Sequence, residues 1–489
     1  MDLLLRGGRV VDPANRRDEV ADVLLRDGRI AAVGPDVPLP DGVAALDVTG
    51  LIVGPGFIDL HSHCHSIAGH RLQACDGVTT ALDLEAGAAP VAKAYARTAA
   101  QGRPLNYGFS ASWGQARGQV LAGIEPDGRF ESTLELLGVE AWQASSTTAQ
   151  LDAWIGLLRD ELADGALGIG ILMGYAPQSD PREMVAVGHL AAEAGVGTFT
   201  HVREIVEADP SIPIDGTSEI VVVAAETGAA MHHCHVNSSS RRHVDRVLAT
   251  IAAGQAEGSR ITVEAYPYGA GCTGIGAAFL APERLSAWDL QPSSLVVVAT
   301  GERIADVARL RELRRCDGGA QVIIEYLDES DPGDAALLTT SLGFTDAIVA
   351  SDAMGVTLPE GALESLTWPL PPGTAAHPRT SGTFAKALRL MVGSGQWTWN
   401  EAFRRCAMLP AEVLAFAPAA RTKGHLGVGA DADVVVLDPL TFTDQATYAD
   451  PVRPSRGVRY LFVHGTPVIR DGELDVNALP GRPLRAEPR

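Results

Sequence analysis

The sequence predicts an α/β protein: a (β/α)8 TIM-like barrel with a small β-sandwich built from both termini and a lid-like insertion. Three observations carry that expectation. Apolar strand-like runs alternate with helical stretches through the middle of the chain, the pattern of parallel βαβ units. Strand-and-turn segments occupy both ends. A long stretch with strands and helices of its own interrupts the alternation late in the chain. A length of 489 residues exceeds one small core and fits a large domain with an appended smaller one.

LLLRGGRVVD, DVLLRDGRIAAVG and VAALDVTGLIVGPG read as short strands separated by Gly and Asp-Gly turns, the chemistry of hairpins. GADADVVVLDP and GVRYLFVHGTPVIRDGEL repeat the pattern near the other end, so residues 1–55 plus 420–480 are expected to form the sandwich. Residues 56–419 are the expected barrel. Its eight runs are GFIDLHSH, TTALDLEAG, NYGFSAS, GALGIGILMGY, VGTFTHV, AAMHHCHVN, ITVEAYPYG and DAIVASDAM. PVAKAYARTAAQG and PREMVAVGHLAAEAG are helices between them. The stretch from about 271 to 343, with SSLVVVATG, RIADVARLREL and AQVIIEYL, reads as an insertion over the barrel mouth. The tail LPGRPLRAEPR is expected to be disordered or to lie over the surface.

Composition narrows the function. Hydrophobic residues make up 46% of the chain, as in ordinary globular proteins, and no apolar run reaches the roughly eighteen residues a membrane span needs. MDLLLRGGRVVD reads as a strand rather than a signal region. A net charge of −21 argues against nucleic acid or an anionic membrane as partner, since like charge repels phosphate. Six scattered cysteines without a framework spacing point to reduced thiols and a cytoplasmic protein. The basic residues are nearly all arginine; the lysines are Lys93, Lys386 and Lys423.

In a barrel of this kind, chemistry sits at the C-terminal ends of the strands. The first run ends on His61 and His63, which share a face because alternate strand residues do. The second ends on Glu85, the fifth on His201, the sixth on His235 and the eighth on Asp352. Any one of these is as well explained as a satisfied core residue or a helix cap. Six in register at one end of successive strands are better explained as a metal site, with nitrogen and oxygen donors suited to Zn2+, one or two ions, or another divalent first-row metal. His232 and His233 are placed nearby as supporting or substrate-contacting groups. His65 and His70 are read as structural, and Cys64 and Cys234 as packed behind the ligands.

This ordered series, with the GHLGVGADADVVVLDP return, resembles the amidohydrolase superfamily. Within it the chain resembles the D-aminoacylase group, the N-acyl-D-amino-acid deacylases. GVTT, GALGIGILMGYAP, THVRE, AYPYGAG, ASDAM and above all HPRTSGTFAKAL (His377 to Leu388) carry the likeness over nearly the whole chain. The resemblance implies zinc-dependent hydrolysis of an amide C–N bond by metal-bound hydroxide, with Asp352 as general base. It implies that Arg379 grips the substrate carboxylate, with Tyr175 a further contact. Tyr266 or Tyr268 would donate to the developing oxyanion. A small carboxylate-bearing molecule is the implied partner, and oligomeric state stays open, a homo-oligomer included.

Two departures stand out. Where the group carries a cysteine ligand near the second strand, LDLEAGAAP has none, so Glu85 is expected to bind or bridge instead. Where a lysine usually follows the strand-six ligand by two residues, this chain has Asn237. That change leaves Arg379 less support and keeps a cyclic amide, imide or lactam hydrolase as the second reading, with Glu85 in place of a carboxylated lysine. A non-catalytic scaffold is the third; it would be expected to have lost ligands, and this chain keeps all six. Arg203, Arg241 and Arg242 are candidates for recognising an acidic substrate side chain.

Overall fold

The computed structural model describes residues 2–362 and 367–487. Eight parallel strands succeed one another in sequence order to make a nearly closed barrel sheet. They are β1 (Phe57–Asp59), β2 (Val78–Ala88), β3 (Asn106–Ser112), β4 (Ile169–Leu172), β5 (Gly197–His201), β6 (Ala230–His233), β7 (Ile261–Ala265) and β8 (Ile348–Val349). Every residue of β2 and β3 is buried, as expected of parallel strands covered on both faces. Beyond β1 and β8 the chain pairs once more, through a parallel bridge between Ser62 and Ala353.

The chain divides into two compact units. The first gathers the residues up to Leu82, Thr98–Gly108 and Ile348–Leu484. Its main feature is a nine-stranded sheet to which both ends of the chain contribute. Val434–Leu437 runs antiparallel to Ile52–Pro55, with Val435 opposite Gly54, and joins the C-terminal strands to the N-terminal ones. Alternation does the rest: Leu3, Leu5, Val23, Leu25, Val434, Val436 and Phe462 pack into one buried cluster. Asp27 (φ 51°) and Gly28 (φ 73°) make the left-handed turn between Arg17–Arg26 and Arg29–Gly34 that the Asp-Gly pair announces. Under this sheet Lys423 Nζ lies 2.9 Å from Asp431 and 2.6 Å from Asp433, an internal cation between two carboxylates.

The tail is not disordered through its described part. Gly481 donates to the Arg103 carbonyl (2.8 Å), Leu484 donates to that of Tyr107 (2.7 Å), and the Leu484 side chain is buried. The Gly and Pro residues that suggested disorder instead let the segment lie flat along β3. The tail's last two residues are outside the described ones.

The second unit comprises Asp83–Arg97, Phe109–Ala347 and the residues from Arg485 onward. Its helices show their signals plainly. Pro181–Ala194 begins with Asp180 capping the Arg182 N–H and Pro181 in the first turn, and it stops at Gly195 (φ 64°). The late interrupting stretch builds a separate antiparallel sheet from Ala270–Gly274, Leu295–Val297 and Gln321–Glu325. The helix Pro332–Gly343 then leads into β8. No helix among the described residues is long and apolar enough to cross a membrane, and all six cysteines are free.

Candidate metal centre

In the first unit β1 delivers His61 and His63 with their rings edge to face, and their Nε2 atoms meet at 3.0 Å. Asp352 Oδ1 lies 3.5 Å from His61 Nε2 and 3.7 Å from His63 Nε2. Asp352 reaches them because the chain turns sharply after β8, with a φ of 50° that few non-glycine residues adopt. Its Oδ1 also pairs with the buried Arg379 guanidinium at 2.9 Å.

Asp59 sets this cluster in place. Its Oδ1 accepts from the backbone N–H groups of His61 (3.2 Å) and Ser351 (3.0 Å), and its Oδ2 accepts from Gln73 Nε2 (3.0 Å) and the Ser351 hydroxyl. Burial pushes this carboxyl up to about 7 against the pull of those donors.

In the second unit Glu85 Oε1 lies 3.1 Å from His201 Nδ1 and 2.8 Å from His235 Nε2, and those two nitrogens are 3.1 Å apart. His235 is not a continuation of β6. It sits beyond the strand with φ 31° at the start of the helix Val236–Ser240, and its Nδ1 bonds Ser238 Oγ at 3.0 Å. The change of backbone direction separates it from His233, so the face-sharing expected from strand alternation ends at β6. His233 donates from Nδ1 to the Cys234 carbonyl (3.1 Å) and is kept neutral by burial, which takes it down to about 3.

His232 turns instead to Glu264 (3.0 Å) and Thr262 (2.7 Å), and Glu264 accepts the His235 N–H as well (3.3 Å). Glu264 went unnoticed in the sequence. Its signal was a lone carboxylate inside the apolar run ITVEA.

The Tyr175 ring lies 4.5 Å from that of His201, tilted by 48°, and its hydroxyl is 2.8 Å from Thr273 Oγ1. Asn237 acts as a bracket. Its Oδ1 accepts from the Tyr266 N–H (3.1 Å), and its Nδ2 donates to the Tyr326 hydroxyl (3.0 Å), which donates in turn to the Tyr268 carbonyl (2.9 Å). Arg203 is bound to Glu219 (2.8 Å) and Arg242 to Asp334, so neither expected basic residue is an uncommitted charge.

Whether these residues suit a metal is decided by their donor atoms. A tetrahedral zinc with bonds of about 2.0–2.1 Å sets its ligands roughly 3.3 Å apart. Separations of 3.0, 3.5 and 3.7 Å in one triad, and 2.8, 3.1 and 3.1 Å in the other, lie around that value. Imidazoles and carboxylates at largely buried strand ends are the donors a divalent cation takes. The residues fit the group.

No protein-family model matches the chain. It is similar to the D-aminoacylase of Alcaligenes xylosoxydans xylosoxydans, with 27% identity over 96% of this chain and 94% of that one. It is also similar to the N-acyl-D-glutamate deacylase of that organism, at 26% identity over 100% of this chain and 97% of that protein. A crystal structure of N-acyl-D-glutamate deacylase from Bordetella bronchiseptica, complexed with zinc and a phosphonate mimic of the tetrahedral intermediate, superposes with a TM-score of 0.74. Its identity is 25%, over 99% of this chain and 100% of that one. The chain thus shares its barrel fold with that deacylase structure, and at its strand ends it carries imidazole and carboxylate donors. It is similar over nearly its whole length to a D-aminoacylase and to N-acyl-D-glutamate deacylases.

Proposed function

We propose that this protein is a zinc-dependent amidase that removes the acyl group from N-acyl-D-amino acids. The observation that carries the reading is the pair of donor triads at strand ends, in a chain similar over its whole length to enzymes named for that reaction. His61, His63 and Asp352 would hold one ion; Glu85, His201 and His235 would hold another. A divalent ion supplies an acidified water and a polarised amide carbonyl.

The chain supplies the rest. Asp352 takes the proton of the attacking water and returns it to the leaving amine, both transfers at one carboxylate. Arg379, 2.9 Å from Asp352 Oδ1, keeps that carboxylate aimed, and its guanidinium is the group we assign to the substrate carboxylate. Tyr175 contacts the substrate beside His201, and Tyr268 lies on the segment that Asn237 braces through Tyr326. Hydrolysis of a cyclic amide or imide is the second reading, favoured by the uncharged Asn237 with both ends of its amide bound to protein.

A turnover screen of the zinc-loaded protein separates the two. Matched N-acetyl-D- and N-acetyl-L-amino acids are run beside hydantoins, cyclic imides and lactams. Activity on the D series alone, abolished by a chelator and restored by zinc, is expected; activity confined to cyclic compounds overturns the deacylase reading.

A further inference from the structure

We propose that Glu264 is a positioning residue for the ion that Glu85, His201 and His235 would share, and that it sets that ion's affinity by holding the His235 backbone. The inference rests on the metal-centre part of the amidase reading and extends it to a residue outside both donor triads.

Glu264 is the one carboxylate in the apolar run of β7, and it is only 1% exposed. A carboxylate in such a place is costly unless donors satisfy its oxygens. The barrel ladder supplies the first donor. His232 on β6 stands opposite Thr262 on β7, and Thr262 and Glu264 share a face because they are two residues apart. The imidazole spans both of them. Its Nδ1 lies 2.7 Å from Thr262 Oγ1, and its Nε2 lies 3.0 Å from Glu264 Oε2.

The end of β6 supplies the second donor. Cys234 still follows the ladder, donating to the Thr200 carbonyl at 3.0 Å. At His235 the chain turns away with φ 31° and ψ 60°, which takes the next N–H out of the ladder at a buried residue. Glu264 Oε1 accepts that N–H at 3.3 Å. A left-handed conformation at a residue other than glycine persists where its surroundings hold it.

Two grips act on His235, and they fix different things. Ser238 Oγ, 3.0 Å from Nδ1, orients the ring so that Nε2 faces Glu85 at 2.8 Å and His201 at 3.1 Å. Ser238 lies on the helix Val236–Ser240, which His235 begins, so it travels with the turn. Glu264 lies on a different strand, and its bond ties the turn to the barrel wall. A displaced turn would carry Nε2 away from the other two donors.

This role needs an acceptor at the right reach, not a charge. Glutamine provides one: its carbonyl accepts from the His235 N–H while its amide donates to His232, whose other nitrogen then gives its proton to the Thr262 hydroxyl. Aspartate keeps the charge and falls one methylene short.

Titration of the metal-stripped protein with zinc alone, against a competing chelator, tests the proposal. The unaltered protein is expected to bind two ions, and Glu85→Gln marks which of them is in question. Glu264→Ala and Glu264→Asp should weaken that ion by about 10–100-fold and change the other by less than about threefold, while Glu264→Gln stays within about threefold of the parent at both. Added to Glu85→Gln, Glu264→Asp should weaken nothing further. Two ions bound by the parent with Glu264→Asp at parental affinity, or with equal losses at both ions, overturns the positioning role and leaves the amidase reading standing. So does affinity kept by aspartate and lost by glutamine, the mark of a charge or a ligand. No zinc bound by the unaltered protein overturns the metal reading on which the proposal rests. If Glu264→Ala fails to fold, the contrast between aspartate and glutamine decides the matter.

Discussion

Asp59 holds Ser351 by both its backbone N–H and its hydroxyl, and so joins the chain leaving β1 to the chain leaving β8. His61 and His63 stand two and four residues beyond Asp59, and Asp352 is one beyond Ser351. One carboxylate thus fixes the spacing between two imidazoles and the proposed general base. Asp59→Ala would leave four buried donors without their acceptor. The expected cost is roughly 3 kcal/mol in urea unfolding and about 10–100-fold in zinc affinity. A variant with undiminished zinc affinity would mean that the triad is positioned by something else.

Asp352→Asn keeps the shape of the side chain and removes its capacity to carry a proton. With zinc in excess, kcat should fall by about 10²–10⁴-fold. Retained turnover would take Asp352 out of the proton transfers.

Glu85→Gln replaces a proposed carboxylate ligand by a neutral amide between His201 and His235. Metal analysis of the purified variant should show fewer bound ions than the parent protein, with the His61, His63 and Asp352 triad still loaded. An unchanged metal-to-protein ratio would show that Glu85 is not a ligand.

Glu204 predicts a pH dependence of stability. It is 4% exposed, and burial raises it from the ordinary 4.5 to about 7 against the pull of Arg284 and Arg241. Between those values the folded chain keeps a proton that the unfolded chain has released. Stability contributed by Glu204 therefore falls as pH rises from 4.5 to about 7, by roughly 3 kcal/mol in all, and is level outside that window. Glu204→Gln should flatten this part of the profile in unfolding measurements across pH. Identical profiles would assign the slope to another group.

The candidate metal centre was legible because each donor ends an apolar run, and apolar runs that alternate with helices announce a barrel. His61, His63, Glu85, His201, His235 and Asp352 were found that way, and the structure brings them together as two triads. What strand periodicity could not supply was the backbone at the strand ends. His235 and Asp352 both take left-handed conformations, so their aim is set by turns and not by alternation. Arg241 was named as a basic candidate, but what surrounds it was not legible. Trp288 and Tyr326 come from the interrupting stretch, and nothing in their spacing reveals that they close on a residue some fifty and eighty-five positions earlier. Arg379 was expected to grip the substrate carboxylate; its pairing with Asp352 is a contact that no local pattern encodes.

The internal cation under the terminal sheet has a practical corollary for handling the protein. Lys423 is enclosed by Asp431 and Asp433, and Lys386 is only 8% exposed, which leaves Lys93 as the one exposed lysine. Amine-directed coupling to a resin or a dye would therefore attach at a single, known side chain, on the helix Val91–Gln101. Molecules immobilised through a lysine would share that side-chain anchor, and chemistry that modifies lysine would leave the donor triads untouched.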